Sequence, residues 1–351
     1  LMSDGTLYGC GYNLYGQLGL GAGAGTGNQP TLTKITLIKE TLNGQEVSIS
    51  SKIPVAVSCD GYHTLVLMSD GTLYGCGYND YGQLGQNNIT NPITTLTPIT
   101  LGIAGKTPVA LSGGEYHTLV LMSDGELYGC GFNGYGQLGL GAGTGTQYYL
   151  TPITDGIVGK IPVAVSGGWD HTLVLMSDGT LYGCGRNTYG QLGLGAGAGT
   201  ANQPTLTPIT LGIVGKIPVA VSCGEDHTLV LMSDGTLYSC GDNLYGQLGF
   251  GDYNDRTTLT LIPEIAGKTP VAVSCGGYHT IVLMSNGTLY GCGDNDYGQL
   301  GQGNRTPRNT LTLISITGII EVMDMAGGLP PAPISNICFP AGTPVKTDQG
   351  I

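Results

Sequence analysis

The chain has 351 residues, enough for two ordinary domains or one repeat array, and its 63 glycines and 18 prolines would suggest disorder if they were unpatterned. They are patterned: hydrophobic residues make up 40% of the chain and fall in recurring strand-sized runs, which supply the apolar surface needed to offset the entropy of ordering. Only 10% of residues are charged and the net charge is −12, with the basic residues dispersed, which argues against direct nucleic-acid binding; no apolar run reaches the ~18 residues of a membrane span.

From the amino terminus, Leu1-Met2-Ser3 already belongs to a repeated phrase, MSDG or once MSNG, that begins again at Met68, Met122, Met176, Met232 and Met284. No charged-then-apolar leader precedes it, and because Leu1 falls inside a repeat an earlier segment is expected. Self-similarity at about 54 residues is the signature of a propeller or solenoid, whose units cannot bury their own apolar faces. Within the second unit the runs 55–58, 64–68, 72–75 and 95–101 are strand-length and bounded by turn residues, giving four strands per repeat. Asp70-Gly71 predicts a two-residue type I′ hairpin with Ser69 opposite Thr72, Leu67 opposite Tyr74 and Leu65 opposite Cys76. Val66, Met68 and Leu73 would then occupy the other face, so both faces are apolar and each sheet must be sandwiched between neighbours.

The HTLVLMSDGTLY and NxYGQLG phrases, recurring over residues 1 to about 328, resemble the repeats of the regulator-of-chromosome-condensation family. That resemblance implies an all-β propeller of four-stranded blades, seven in the family, against six repeats visible in this chain. Cys10, Cys76, Cys130, Cys184, Cys240 and Cys292 stand where the family usually carries Trp, which implies closer blade packing or compensation by nearby Tyr and Met.

The repeated polar residues read as architecture. The pairs Cys59 and Cys76, Cys223 and Cys240, and Cys275 and Cys292 would lie on first and third strands about 9–10 Å apart. A disulfide needs Cα atoms within about 7 Å, and no CxxC occurs, so buried reduced thiols are expected, with no metal, no cofactor and a lean towards a reducing compartment. His63, His117, His171, His227 and His279 recur just before a strand, and equivalent copies fit a structural hydrogen bond better than catalysis. The GQLG phrase has the spacing of neither phosphate-binding loop; its glycines allow tight turns and its leucine can plug between blades. Glycine-rich stretches at 19–27 and 193–199 read as interblade loops, and the insertion at 39–51 is too mild for a wedge.

Positions that differ between near-identical units are those the fold leaves free. Just before each histidine stand Gly61-Tyr62, Glu115-Tyr116, Trp169-Asp170, Glu225-Asp226 and Gly277-Tyr278, expected in equivalent turns on one face. Tyr62, Glu115, Tyr116, Trp169, Asp170, Glu225, Asp226 and Tyr278 are thus candidate partner-binding residues, combining aromatic anchors with charge. A second variable set, Tyr12, Tyr78, Phe132, Arg186, Asp242 and Asp294, follows the CG phrase.

Further on, residues 321–328 align with the first strand of a repeat and are expected to pair with the incomplete first unit, so that the ends of the chain meet in one blade of a six- or seven-bladed ring. After a proline-rich linker at 329–337, the run from Cys338 to Gly350 resembles the opening block of Hint domains, the hedgehog and intein autoprocessing fold. By that resemblance Cys338 would be the nucleophile attacking the Ile337 carbonyl to form a thioester. The supporting histidine block does not occur before Ile351, so processing is expected only in a longer parent. The expected organisation is therefore a propeller at 1–328, a linker at 329–337 and the start of a Hint domain at 338–351. The expected function is that of a non-enzymatic, monomeric scaffold for an unidentified protein, without nucleic acid or membrane. The alternatives are nucleotide exchange on a small GTPase, which the family resemblance implies, and self-processing in the parent.

Overall fold

The computed structural model describes residues 1–315 apart from 3, 40–45, 50, 51, 199, 264 and 266. The ring-closing strand expected at 321–328, the linker at 329–337 and Cys338 with its Hint-like run lie outside the described residues.

Each complete repeat folds into one four-stranded antiparallel sheet whose strands are neighbours in chain order. The second repeat supplies Pro54–Asp60, His63–Met68, Leu73–Gly77 and Ile93–Pro98; the third supplies Pro108–Gly113, His117–Met122, Leu127–Gly131 and Gln147–Ile153. Three further sheets follow the same plan, opening at Pro162, Pro218 and Pro270, and the first repeat contributes a two-stranded sheet, Leu7–Gly11 with Gln29–Ile35. The first strands of successive sheets pack against one another, so they line the axis around which the blades are arranged. The described residues thus form five complete blades and part of a sixth of an all-β propeller.

The hairpin register differs from expectation by one residue. Val66 faces Tyr74, Leu67 faces Leu73 and Thr64 faces Cys76. Gly71 N–H bonds to the Met68 carbonyl at 3.0 Å or less, and Met68 N–H to the Thr72 carbonyl, so the loop is Ser69-Asp70-Gly71 rather than Asp70-Gly71 alone. Only Gly71 takes positive φ, at 78°, which is the three-residue hairpin of a type I turn ending in a left-handed glycine. Asp70 is instead held by accepting from Thr72 N–H at 3.0 Å and the Thr72 hydroxyl at 2.6 Å. The slip moves Tyr74 and Cys76 to the face of Val66, and it changes nothing about burial: the second strand is buried at all six positions in four of the blades. In the last described blade it is more open, since the described residues place no blade beyond it.

The seam between blades is a repeated hydrogen-bond set. Thr172 Oγ1 donates to the Gln137 carbonyl of the preceding GQLG phrase at 2.7 Å and lies 3.0 Å from His117 Nε2. Because the threonine has one proton and spends it on the carbonyl, His117 Nε2 must be the donor and its Nδ1 is unprotonated. That Nδ1 is buried without a partner, as are those of His63, His171 and His227. The histidine begins the second strand rather than preceding it, and its ring lies so close over Gly114 that a Cβ there would sit 2.1 Å from it. Cys184 Sγ also reaches the Gln137 carbonyl, at 3.4 Å. The small side chain at the Trp position therefore lets the preceding loop approach to bonding distance. None of the nine described cysteines is in a disulfide, and the GQLG leucines Leu84, Leu138, Leu192, Leu248 and Leu300 are completely buried plugs.

The insertion forms a hairpin, Leu37–Lys39 with Glu46–Ser48, whose first strand pairs in parallel with the outer strand of the second blade at Ile38 and Leu96. The glycine-rich stretches carry short helical turns, Ala22–Ala24 and Gly195–Ala198. Among the described residues no helix is long and apolar enough to cross a membrane.

Candidate interaction face

First strands run towards one end of the blades and turn back there, so the residues before each histidine gather on one face, which is called here the upper face. Third strands end at the same level, where Phe132 N–H bonds to the Tyr116 carbonyl and Asp242 N–H to the Asp226 carbonyl. The MSDG turns lie on the opposite, lower face. Four of the repeat-start lysines are used there: Lys106, Lys160 and Lys216 pair with Asp124, Asp178 and Asp234 at 2.6, 2.5 and 2.5 Å, and Lys52 pairs with Asp70.

Adjacent upper turns are tied together. Trp169 N–H donates to the Glu225 carbonyl at 3.2 Å, Glu225 N–H donates to the Gly277 carbonyl at 3.0 Å, and the Tyr278 hydroxyl donates to Glu225 Oε1 at 2.5 Å. Tyr62 stacks on Tyr116 with ring centroids 6.0 Å apart. All the predicted aromatic residues, Tyr62, Tyr116, Trp169 and Tyr278, are half-buried.

The carboxylates depart from expectation. Glu115, Asp170 and Asp226 are not open surface charges; they are 6%, 9% and 7% exposed. Asp170 accepts from Gln137 Nε2 at 3.0 Å and Asp226 from Gln191 Nε2 at 2.5 Å, so the GQLG glutamine side chain draws the acid of the next blade inwards. Burial is the main cause of their raised pKa values, with mutual repulsion adding to it. Asp170 and Asp226 rise to about 6, Glu115 to about 7 and Glu225 to about 8, while Arg186 opposes the shift at both aspartates.

Sequence reasoning passed over the tyrosine of NxYGQLG, because it is the same in every unit and reads as framework. Its rings join the face: Tyr15 lies 5.4 Å from Tyr62, Tyr81 lies 5.0 Å from Tyr116, and Tyr245 lies 5.0 Å from Tyr278. The result is an aromatic belt over the earlier blades that gives way to carboxylates over the later ones. Arg186 marks the boundary, over the rings of Tyr135 at 5.8 Å and Tyr189 at 5.5 Å and 3.3 Å from Asp226. No group of His, Cys, Asp and Glu among the described residues is arranged to hold a metal ion.

Comparison with known proteins places this geometry. The RCC1-like domain model matches residues 55–330, and the regulator of chromosome condensation (RCC1) repeat model matches residues 4–67. The ultraviolet-B receptor UVR8 of Arabidopsis thaliana is 34% identical over 295 residues, covering 82% of this chain and 61% of the receptor. The E3 ubiquitin-protein ligase HERC2 of Mus musculus is 32% identical over 305 residues, covering 86% of this chain and 6% of the ligase. The chain thus spans less than two thirds of the length of these curated relatives. Among solved structures, human WBSCR16 superposes with a TM-score of 0.75 at 23% identity, covering 89% of this chain and 76% of that one. Prp20p of Saccharomyces cerevisiae, studied for its binding to Gsp1p and histones, superposes with a TM-score of 0.58 at 19% identity, covering 90% and 87%. These two likenesses bear on the fold alone. From the repeat phrases, the four-stranded blades and the span of the matched model, the chain belongs to the RCC1-like domain family.

Proposed function

We propose that the chain is a non-enzymatic scaffold that binds a protein partner through its upper face. The observation that carries this reading is a contrast within one molecule. Seam residues repeat almost unchanged from blade to blade, while the upper turns vary, and their side chains vary mostly among aromatic and acidic residues. Half-buried aromatic rings give contact area at small entropic cost, and neighbouring carboxylates give orientation and specificity. Membership in a family in which the matched region takes up 61% of one relative and 6% of another agrees with a reusable binding module.

The test uses the full chain as bait, identification of a captured protein, and its dissociation constant with the purified partner. Combined substitution Tyr62→Ala, Trp169→Ala and Tyr278→Ala should weaken that complex at least about tenfold with the circular dichroism spectrum retained. Unchanged affinity would overturn the assignment of the face. Nucleotide exchange on a small GTPase has no observation of its own among the described residues: the described strands of the inserted segment, Leu37–Lys39 and Glu46–Ser48, extend the outer edge of the second blade. Release of labelled GDP across a small-GTPase panel should therefore be unaffected by the chain, and stimulation abolished by Trp169→Ala and Glu225→Ala would replace the scaffold reading.

A further inference from the structure

Arg186 shows how this face holds a guanidinium. It rests on the rings of Tyr135 and Tyr189, with Asp226 of the next blade at 3.3 Å. The repeat reproduces the surroundings one blade further on but changes the occupant. Asp242 stands at the position of Arg186, Tyr189 and Tyr245 stand at the positions of Tyr135 and Tyr189, and Tyr278 stands where Asp226 does. Asp242 Oδ2 accepts from Gln247 Nε2 at 2.6 Å, Tyr245 packs 5.0 Å from Tyr278, and Glu225 takes the Tyr278 hydroxyl. Among the described residues, the second cradle therefore has rings and carboxylates but no cation of its own.

The charge balance of the face has the same sense. Repulsion links Glu115 to Asp170 and Asp226, and Glu225 to Glu115, Asp226 and Asp242, while Arg186 is the cation that acts on Asp170 and Asp226. Lys52, Lys106, Lys160 and Lys216 are engaged on the lower face. Resting on the reading of the upper face as a protein-binding surface, we propose that its partner presents an arginine, whose guanidinium docks beside Asp242 and Glu225 against Tyr245, as Arg186 docks one blade earlier. A planar guanidinium stacks on a ring and forks onto a carboxylate in one pose, whereas an ammonium offers only a point charge, so arginine should be favoured over lysine. The raised pKa of Glu225 fits a carboxyl group that lacks such a counter-ion.

The experiment measures fluorescence anisotropy of labelled tetra-arginine and tetra-lysine peptides with the full chain at low ionic strength. Tetra-arginine should bind several-fold more tightly than tetra-lysine, and Glu225→Gln with Asp242→Asn should weaken it about tenfold. Asp124→Asn with Glu126→Gln removes the same charge from the lower face and should leave binding within about twofold. Asp242→Arg installs the guanidinium from within; it should raise the melting temperature and block the peptide. Equal loss in the lower-face control, indifference to Glu225→Gln with Asp242→Asn, or no preference for arginine would each overturn the proposal. If the aromatic triple variant loses its protein partner while these peptides show no site-specific binding, the scaffold reading stands and the guanidinium site falls.

Discussion

Replacing Thr172 with valine tests the seam most directly, because the change keeps the shape and removes only the hydroxyl. Two bonds are lost: the one to the Gln137 carbonyl at 2.7 Å and the one His117 Nε2–H makes to the hydroxyl at 3.0 Å. The carbonyl keeps Cys184 as a weak partner, but the histidine N–H is left buried with none, on a ring of 0% exposure. A buried orphaned donor costs about 1–3 kcal/mol and a lost neutral hydrogen bond about 1 kcal/mol, so Thr172→Val should cost about 2–3 kcal/mol. Urea denaturation followed by circular dichroism reads this as a lower midpoint at unchanged slope. A double-mutant cycle with His117→Phe should show coupling of about 1 kcal/mol or more, since the histidine is the partner being orphaned. Thr64→Val is the internal control: Thr64 holds the same repeat position but receives no histidine from a preceding blade among the described residues, and it should cost less. A cost below about 0.5 kcal/mol for Thr172→Val, or strict additivity in the cycle, would refute the seam as described.

Four further outcomes are expected. Burial lowers the pKa of His117, His171 and His227 to about 3, below their unfolded value, so stability should be lost as pH falls from about 6.5 towards 3 in a titration of the melting temperature. Glu225 has the opposite sign: its folded pKa of about 8 lies above the unfolded one, so its contribution is lost as pH rises, and Glu225→Gln should be more stable than the parent at pH 9 but not at pH 5. Asn286 occupies the turn where the sister blades have the aspartate that pairs with lysine, so Asn286→Asp should give Lys268 a partner and add up to about 0.5 kcal/mol at low salt, the gain vanishing in 1 M NaCl. Cys184→Trp, which restores the residue usual in the family, should destabilise by more than about 3 kcal/mol because Cys184 Sγ is already only 3.2 Å from where a Cβ on Gly139 would be.

Much of the fold could be read because period and turn chemistry are local properties. MSDG, or once MSNG, marks each repeat hairpin, and the HTLVLM run is apolar on both faces, which demands neighbours on both sides. The register error arose from the same locality: Asp-Gly serves two hairpin types, and Thr72 decides between them by giving Asp70 two donors. The gathering of Tyr62, Glu115, Trp169 and Glu225 on one face could also be read, since equivalent positions in a repeat occupy equivalent places. Their burial could not. Whether Asp170 is open or covered depends on Gln137, 33 residues earlier and on another blade. The same holds for Tyr135 and Tyr189, whose part in the face depends on Arg186 reaching across to them.

The seam has a consequence for how such a chain can change over generations. The seam hydrogen bonds that recur from blade to blade are made between residue types present in every complete blade: the histidine, the threonine and the carbonyl of GQLG. A blade duplicated or deleted as a unit would meet a familiar neighbour on each side, with no new complementary surface to invent. The upper turns carry no part of that side-chain relay, so each can be altered one at a time while the joint beneath it is inherited intact. The molecule thus separates what must be copied faithfully from what is free to diversify.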